Sequence, residues 1–255
     1  MKMDLKGLKI AWAGMLLSII ASAISGSGSG NSIQALENIG ETTASSGTNV
    51  LSSIGGAIGL VAFILMIVGL SRLKDVSDHF RKARNLQIIM FIVAIVFVVV
   101  IVIALVMFTV VLGAETGIGA LSICMTLMII MIVLLLIFGI LFYRNLLRGC
   151  NETAYKAGDD ELAVKFKKMW KTFLTGIILT AAGSIVMIIG VISLIGTGIA
   201  GAADAVVTQS LIVITPGVII MVVGAIFMLV FTILLLVRMA LLFAYDGKEI
   251  SEYNV

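Results

Sequence analysis

The side chains able to do chemistry are few and scattered. His79 is the single histidine among 255 residues, and no cysteine or second histidine stands at a spacing that would complete a zinc site around it. Its place in a basic segment predicts a surface residue. Cys124 lies inside an apolar run and Cys150 in a polar loop, so the two sit at different depths and no disulfide is expected. Asp159-Asp160-Glu161 has the look of a metal-binding acidic cluster. Consecutive carboxylates beside a helix start more often serve capping and solvation, with Asp159 as the cap and Asp160 and Glu161 favourable in the first turn. Gly26-Ser27-Gly28-Ser29-Gly30 contains the spacing of a nucleophile elbow but belongs to a low-complexity string in a chain that lacks a suitable base, and there is no phosphate-binding glycine loop ending in Lys-Ser or Lys-Thr. No enzyme activity, metal or cofactor is expected.

The elements that would have to position any such residues are apolar runs. Of the residues, 61% are hydrophobic and 12% charged, against about 25% charged in soluble domains. Runs over 8–25, 51–70, 86–112, 118–143, 173–196 and 211–237 approach or exceed the about 20 residues that an about 30 Å hydrocarbon layer requires. The fold class expected is an all-α integral membrane protein, one membrane domain over 1–255 with six transmembrane helices. The stretch from Leu86 to Tyr143 divides at Gly113-Ala114-Glu115-Thr116-Gly117, and Pro216 is expected in the first turn of the sixth span, where a missing N–H costs little.

Charge placement sets the orientation. All 17 Lys and Arg residues fall in four blocks: Lys2, Lys6 and Lys9; Arg72, Lys74, Arg81, Lys82 and Arg84; Arg144, Arg148, Lys156, Lys165, Lys167, Lys168 and Lys171; Arg238 and Lys248. With six crossings the four blocks share one face, while the opposite loops carry Glu37, Glu41, Glu115 and Asp204 and no basic residue. The positive-inside rule then puts both termini in the cytoplasm, in a multi-pass protein of a cell membrane of the bacterial cytoplasmic kind. The Asn151-Glu152-Thr153 triplet falls on that inner face, where glycosylation is not expected.

Met1 to Gly30 also fits a secretory signal, with three lysines, an apolar stretch from Ile10 to Ile20 and Ala21-Ser22-Ala23 as a cleavage site. Retention as a span is expected, because the apolar stretch extends through Ile24 and because the chain shows an internal spacing. Phe80-Arg81-Lys82-Ala83-Arg84-Asn85 and Phe166-Lys167-Lys168-Met169-Trp170-Lys171 lie 86 positions apart, about a third of the chain, which suits three parallel helical hairpins. The outer segment 26–50 reads as a flexible Gly/Ser/Thr connector with a short helix around Ile33 to Ile39.

Two inner segments are amphipathic. In 71–85, Leu73, Val76, Phe80 and Ala83 recur at helical spacing opposite Arg72, Lys74, Arg81 and Lys82, which suits the headgroup region or packing beneath the bundle. In 159–172, Leu162, Phe166 and Trp170 lead straight into the fifth span. Gly176, Gly183 and Gly190 repeat every seven residues, as do Gly217 and Gly224, and Gly55 and Gly59 form a Gly-x-x-x-Gly pair; these predict close helix packing.

Apart from the weaker first run, 8–25, the spans contain no Asp, Glu, Lys, Arg or His, which argues against a proton-coupled carrier or voltage sensor, since an intramembrane charge costs about 2.5 to 3.5 kcal/mol and is kept for a purpose. The function expected is a non-enzymatic scaffold or accessory subunit whose inner basic face (Arg72, Lys74, Arg81, Lys82, Arg84, Arg144, Arg148, Lys165, Lys167, Lys168 and Lys171) docks a protein partner or anionic lipid headgroups, with no nucleic acid involved. The alternative is a small-molecule permease, channel subunit or substrate-capture component, with Thr126, Thr180, Ser184 and Thr232, or Met128, Met131, Met187, Met221 and Met228, lining a site.

Overall fold

The computed structural model describes residues 4–37, 45–111, 117–198 and 203–247. Among these the chain forms α1 (Lys6–Glu37), α2 (Ser45–Arg72), α3 (Asp78–Val111), α4 (Gly117–Lys156), α5 (Asp160–Gly198) and α6 (Ala203–Leu242), then a 3-10 turn at Phe243–Tyr245, with no strand in the described residues. All six helices are long and apolar enough to cross a membrane. The chain divides into two compact units, Met1–Gly158 with Leu242–Val255, and Asp159–Leu241.

In the first unit α1 pairs with α2, α2 touches α3, and α3 pairs with α4. The α1/α2 seam consists of small residues seven apart on each helix, running in opposite directions. A Cβ built on Gly7 or Gly69 would run into the backbone of the facing helix, and one on Gly14 would lie 2.9 Å from the Ala62 carbonyl and the Met66 amide. Farther along, Gly55 sits against Ser25 and the backbone of Ala21, and Gly59 lies 3.9 Å from the Ala21 Cβ when given a Cβ of its own. Such seams let van der Waals contact between backbones hold helices together.

The second unit repeats the device. Gly183 on α5 faces the Gly217 carbonyl and Met221 backbone of α6, Gly224 faces Thr180, and Gly176 faces Met228. Gly190 lies on α5, with its surroundings outside the described residues. Phe173 packs against Phe231 with ring centres 4.9 Å apart and planes tilted by 47°. The α3/α4 pair is built differently: Phe80, fully buried, lies over Gly149, while Gly139 faces open space.

Several boundaries differ from the sequence expectation. Segment 71–85 is not one amphipathic helix. α2 ends at Arg72, the chain turns through 73–77, and α3 begins at Asp78, because the Ser77 hydroxyl accepts the His79 N–H at 3.2 Å and so caps a new helix. Its apolar residues Leu73, Phe80 and Ala83 are fully buried. The outer connector is helical over much of 26–50, since α1 runs to Glu37 and α2 starts at Ser45; 38–44 lies outside the described residues. Pro216 is not in a first turn: α6 begins at Ala203, so the proline stands inside the helix and leaves the Ile212 carbonyl without its intrahelical donor.

Segment 159–172 forms the first turns of α5 and continues into its apolar length without a break. The Asp159 carboxylate accepts the Leu162 N–H at 2.9 Å, which satisfies one of the free amides at the helix start. Asp159→Ala is expected to cost about 1 kcal/mol, read as a lower unfolding midpoint, whereas Asp159→Asn, which keeps the acceptor, should stay near the parent.

Candidate functional site

In the first unit the start of α1 lies against the end of α2 at Gly7 and Gly69, and the start of α3 lies against the end of α4 at Phe80 and Gly149. Leu5, Leu8, Leu70, Leu73, Phe80 and Leu146 are each fully buried. Around these residues Arg72, Lys74, Arg81, Lys82, Arg144 and Arg148 are exposed and Arg84 is half-buried. The arrangement follows from chain direction: antiparallel neighbours return each basic block to the same end of the unit. Arg81 pairs with Asp78 at 3.1 Å, and Arg84 donates to the Asn85 side-chain carbonyl at 2.9 Å. Arg72, Lys74, Lys82, Arg144 and Arg148 make no ion pair or side-chain hydrogen bond among the described residues, so their charge is available to a partner.

A polar knot fixes the 73–77 turn against the end of α4. The Ser77 hydroxyl donates to the Glu152 carboxylate. The Lys156 ammonium donates to the same carboxylate at 2.8 Å and to the Val76 carbonyl at 2.7 Å. Thr153 is buried and donates to the Gly149 carbonyl at 2.7 Å, so two members of the glycosylation-like triplet have structural roles. His79 is half-buried rather than a plain surface residue, and its Nδ1 is enclosed without a hydrogen-bond partner among the described residues. Cys150 is buried and unbridged; the side chain of Cys124 lies outside the described residues. No group of three His, Cys, Asp or Glu residues suited to a metal occurs among the described residues.

In the second unit, Leu162, Ala163, Phe166, Met169 and Phe173 are buried along one side of α5 while Lys165, Lys167, Lys168 and Lys171 are exposed. Lys165 pairs with Glu161 at 2.5 Å, and the Arg238 guanidinium donates to the Lys165 carbonyl at 2.6 Å, which ties the end of α6 to α5. Lys167, Lys168 and Lys171 have no ion-pair or side-chain hydrogen-bond partner among the described residues. The acidic cluster is thus accounted for by capping and one ion pair.

Three of the four hydroxyls that would favour a transport site are turned to their own helices. Thr180 donates to the Gly176 carbonyl at 2.8 Å, Ser184 to the Thr180 carbonyl at 2.8 Å, and Thr232 to the Met228 carbonyl at 2.7 Å; Thr126 is exposed. Met221 and Met228 face the glycines of the α5/α6 seam, and Met187 lies beside Gly217. Met131 is half-buried, and the side chain of Met128 lies outside the described residues.

A clasp the sequence did not announce joins the two ends of the first unit. Asp246, just after the 3-10 turn, accepts the Leu5 N–H at 2.9 Å and the Lys9 ammonium at 2.7 Å, and Trp12 packs edge-on against Phe243 with ring centres 6.0 Å apart. The Lys9 ammonium, then the Leu5 amide, holds the Asp246 carboxyl below the usual carboxylate value. A lowered folded-state value contributes stability that is present above the ordinary value of about 3.9 and is lost as pH falls through the lowered one. Trp12 emission, isolated by Trp170→Phe, is therefore expected to stay constant down to about pH 4 and change only below it; Asp246→Asn should give the changed emission at neutral pH.

The chain has no match among family models, curated proteins or solved structures, and its own residues carry the functional reading.

Proposed function

We propose that the protein is a multi-pass membrane scaffold or accessory subunit without enzymatic activity, crossing a bacterial cytoplasmic membrane six times with both termini and the basic helix ends inside. Membrane insertion is supported by what the helices expose. Along α3, Ile92, Val96, Val98 and Ile103 are each more than half exposed, and burying each such side chain is worth about 1.5 to 3 kcal/mol. A continuous apolar surface of this kind needs lipid or another protein around it.

The observation that carries the docking reading is the set of exposed, unpaired cations, Arg72, Lys74, Lys82, Arg144 and Arg148, mounted on a tightly packed end of the first unit. Buried residues beneath them, among them Leu70, Leu73, Phe80 and Leu146, fix the backbone from which these side chains project. The self-bonded hydroxyls of Thr180, Ser184 and Thr232 favour scaffolding over a polar transport path. Retention of α1 belongs to the same proposal, because cleavage after Ala23 would remove half of the α1/α2 seam and one side of the Asp246 clasp; a mature protein starting at Ile24 would overturn it.

Affinity purification from native membranes tests the function. Stoichiometric recovery of another protein, abolished by Arg72→Glu with Lys74→Glu and Lys82→Glu, is the expected result. A protein recovered alone that catalyses solute flux in liposomes would replace the scaffold reading with the permease one.

A further inference from the structure

Beyond partner docking in the first unit, α5 carries a continuous surface that changes character along its length. At 100° per residue, Lys167, Lys171, Thr175, Ile178, Ala182, Ile185 and Ile189 all fall within an arc of about 100°, with Lys168 at its margin. The apolar end of this arc is open: Ile178, Ile185 and Ile189 are 62%, 59% and 57% exposed. The other end presents the exposed, unpaired ammonium groups. Lys167 and Lys171 stand one turn apart, with Cβ atoms about 5 to 6 Å from each other, close enough to share one phosphate. Ile178 lies about 10 Å farther along the axis from Lys171.

We propose that this face of α5 is a site for one anionic phospholipid, its phosphate held between Lys167, Lys168 and Lys171 and its acyl chains laid along Ile178, Ile185 and Ile189. The charge complementarity and the unbroken run from cationic to apolar surface both match that occupant. An acidic soluble partner would satisfy the lysines and leave the isoleucines unaccounted for. Lys165 takes no part, since Glu161 neutralises it on another side of the helix. Asp160 lies on the same arc about 10 Å beyond Lys167 at the helix start, far enough from Lys171 to leave the site net positive. The proposal rests on α5 being a membrane-spanning helix, as inferred above.

Trp170, half-buried against Phe173 at 5.5 Å between ring centres, stands beside these lysines and reports on them. With Trp12→Phe, Trp170 is the sole tryptophan of the two in the chain. The full-length protein is reconstituted into bilayers that mix a brominated phospholipid, which quenches tryptophan, with an unbrominated phospholipid of the other headgroup, phosphatidylglycerol against phosphatidylcholine in both combinations. Brominated phosphatidylglycerol should bind about 5- to 10-fold more tightly beside Trp170 than brominated phosphatidylcholine. Lys167→Gln with Lys168→Gln and Lys171→Gln should bring the ratio to near one, and the corresponding three arginine substitutions should keep it. Equal binding of the two lipids in the protein with its lysines intact overturns the proposal without reference to any variant's folding, as does a preference that survives the glutamines. The bilayer holds no other protein, so failure here leaves partner recovery from native membranes standing, and failure there leaves this lipid preference standing.

Discussion

Gly69→Ala is expected to lower stability by about 2 to 3 kcal/mol, while Gly56→Ala in the same helix is neutral or mildly stabilising. The difference lies in what the new methyl meets. At Gly69 it would collide with the Ala11 backbone and lie 2.7 Å from the Gly7 carbonyl, whereas at Gly56 nothing lies within 4 Å. Backbone cannot rotate aside as a side chain can, so α1 and α2 must separate and give up contacts along the seam. Alanine is also the better helix former by up to about 1 kcal/mol, so propensity alone would predict gains at both positions. Unfolding of the purified protein in micelles, followed by circular dichroism, reads the difference; equal effects at the two glycines would mean that the seam is not a close backbone contact.

Phe80→Ala is expected to cost about 3 to 5 kcal/mol, the largest single effect in the first unit. The ring is fully buried and covers Gly149, where an added Cβ would lie 2.7 to 2.9 Å from three ring atoms. Gly149→Ala alone should therefore destabilise by about 1 to 3 kcal/mol. Phe80→Leu supplies room for that methyl, so the double variant should lose clearly less than the two single losses added together. Strict additivity would indicate that the two residues do not share this contact. The same core supports the Ser77, Glu152 and Lys156 knot, and its loosening should release Lys74 of the 73–77 turn and weaken partner recovery together with stability.

The helices were legible where a long apolar run met charge or capping chemistry. Asp159 announced the start of α5 because a carboxylate ahead of Leu162 and Phe166 can serve only a few local geometries. The turn after α2 was hidden: Leu73, Val76, Phe80 and Ala83 keep helical spacing, and a turn that folds onto helix ends buries three of them, Leu73, Phe80 and Ala83. Ser77-Asp78, a cap followed by a first-turn acid, was the available signal. The start of α6 was obscured because the small residues before Leu211 resemble a loop, which placed Pro216 too early in the helix. The α1/α2 seam could have been found from Gly7, Gly14 and Ala21 facing Gly55, Ala62 and Gly69, since each set repeats every seven residues. The Asp246 clasp had no local signature, because it joins residues separated by 241 positions.

Both proposals depend on the basic helix ends facing the cytoplasmic side of the membrane. Fusions of a side-specific reporter near positions 40, 79, 158 and 255 measure this directly: the expected result is outside at 40 and inside at the other three, and an external signal at 158 would contradict the six-crossing, positive-inside arrangement.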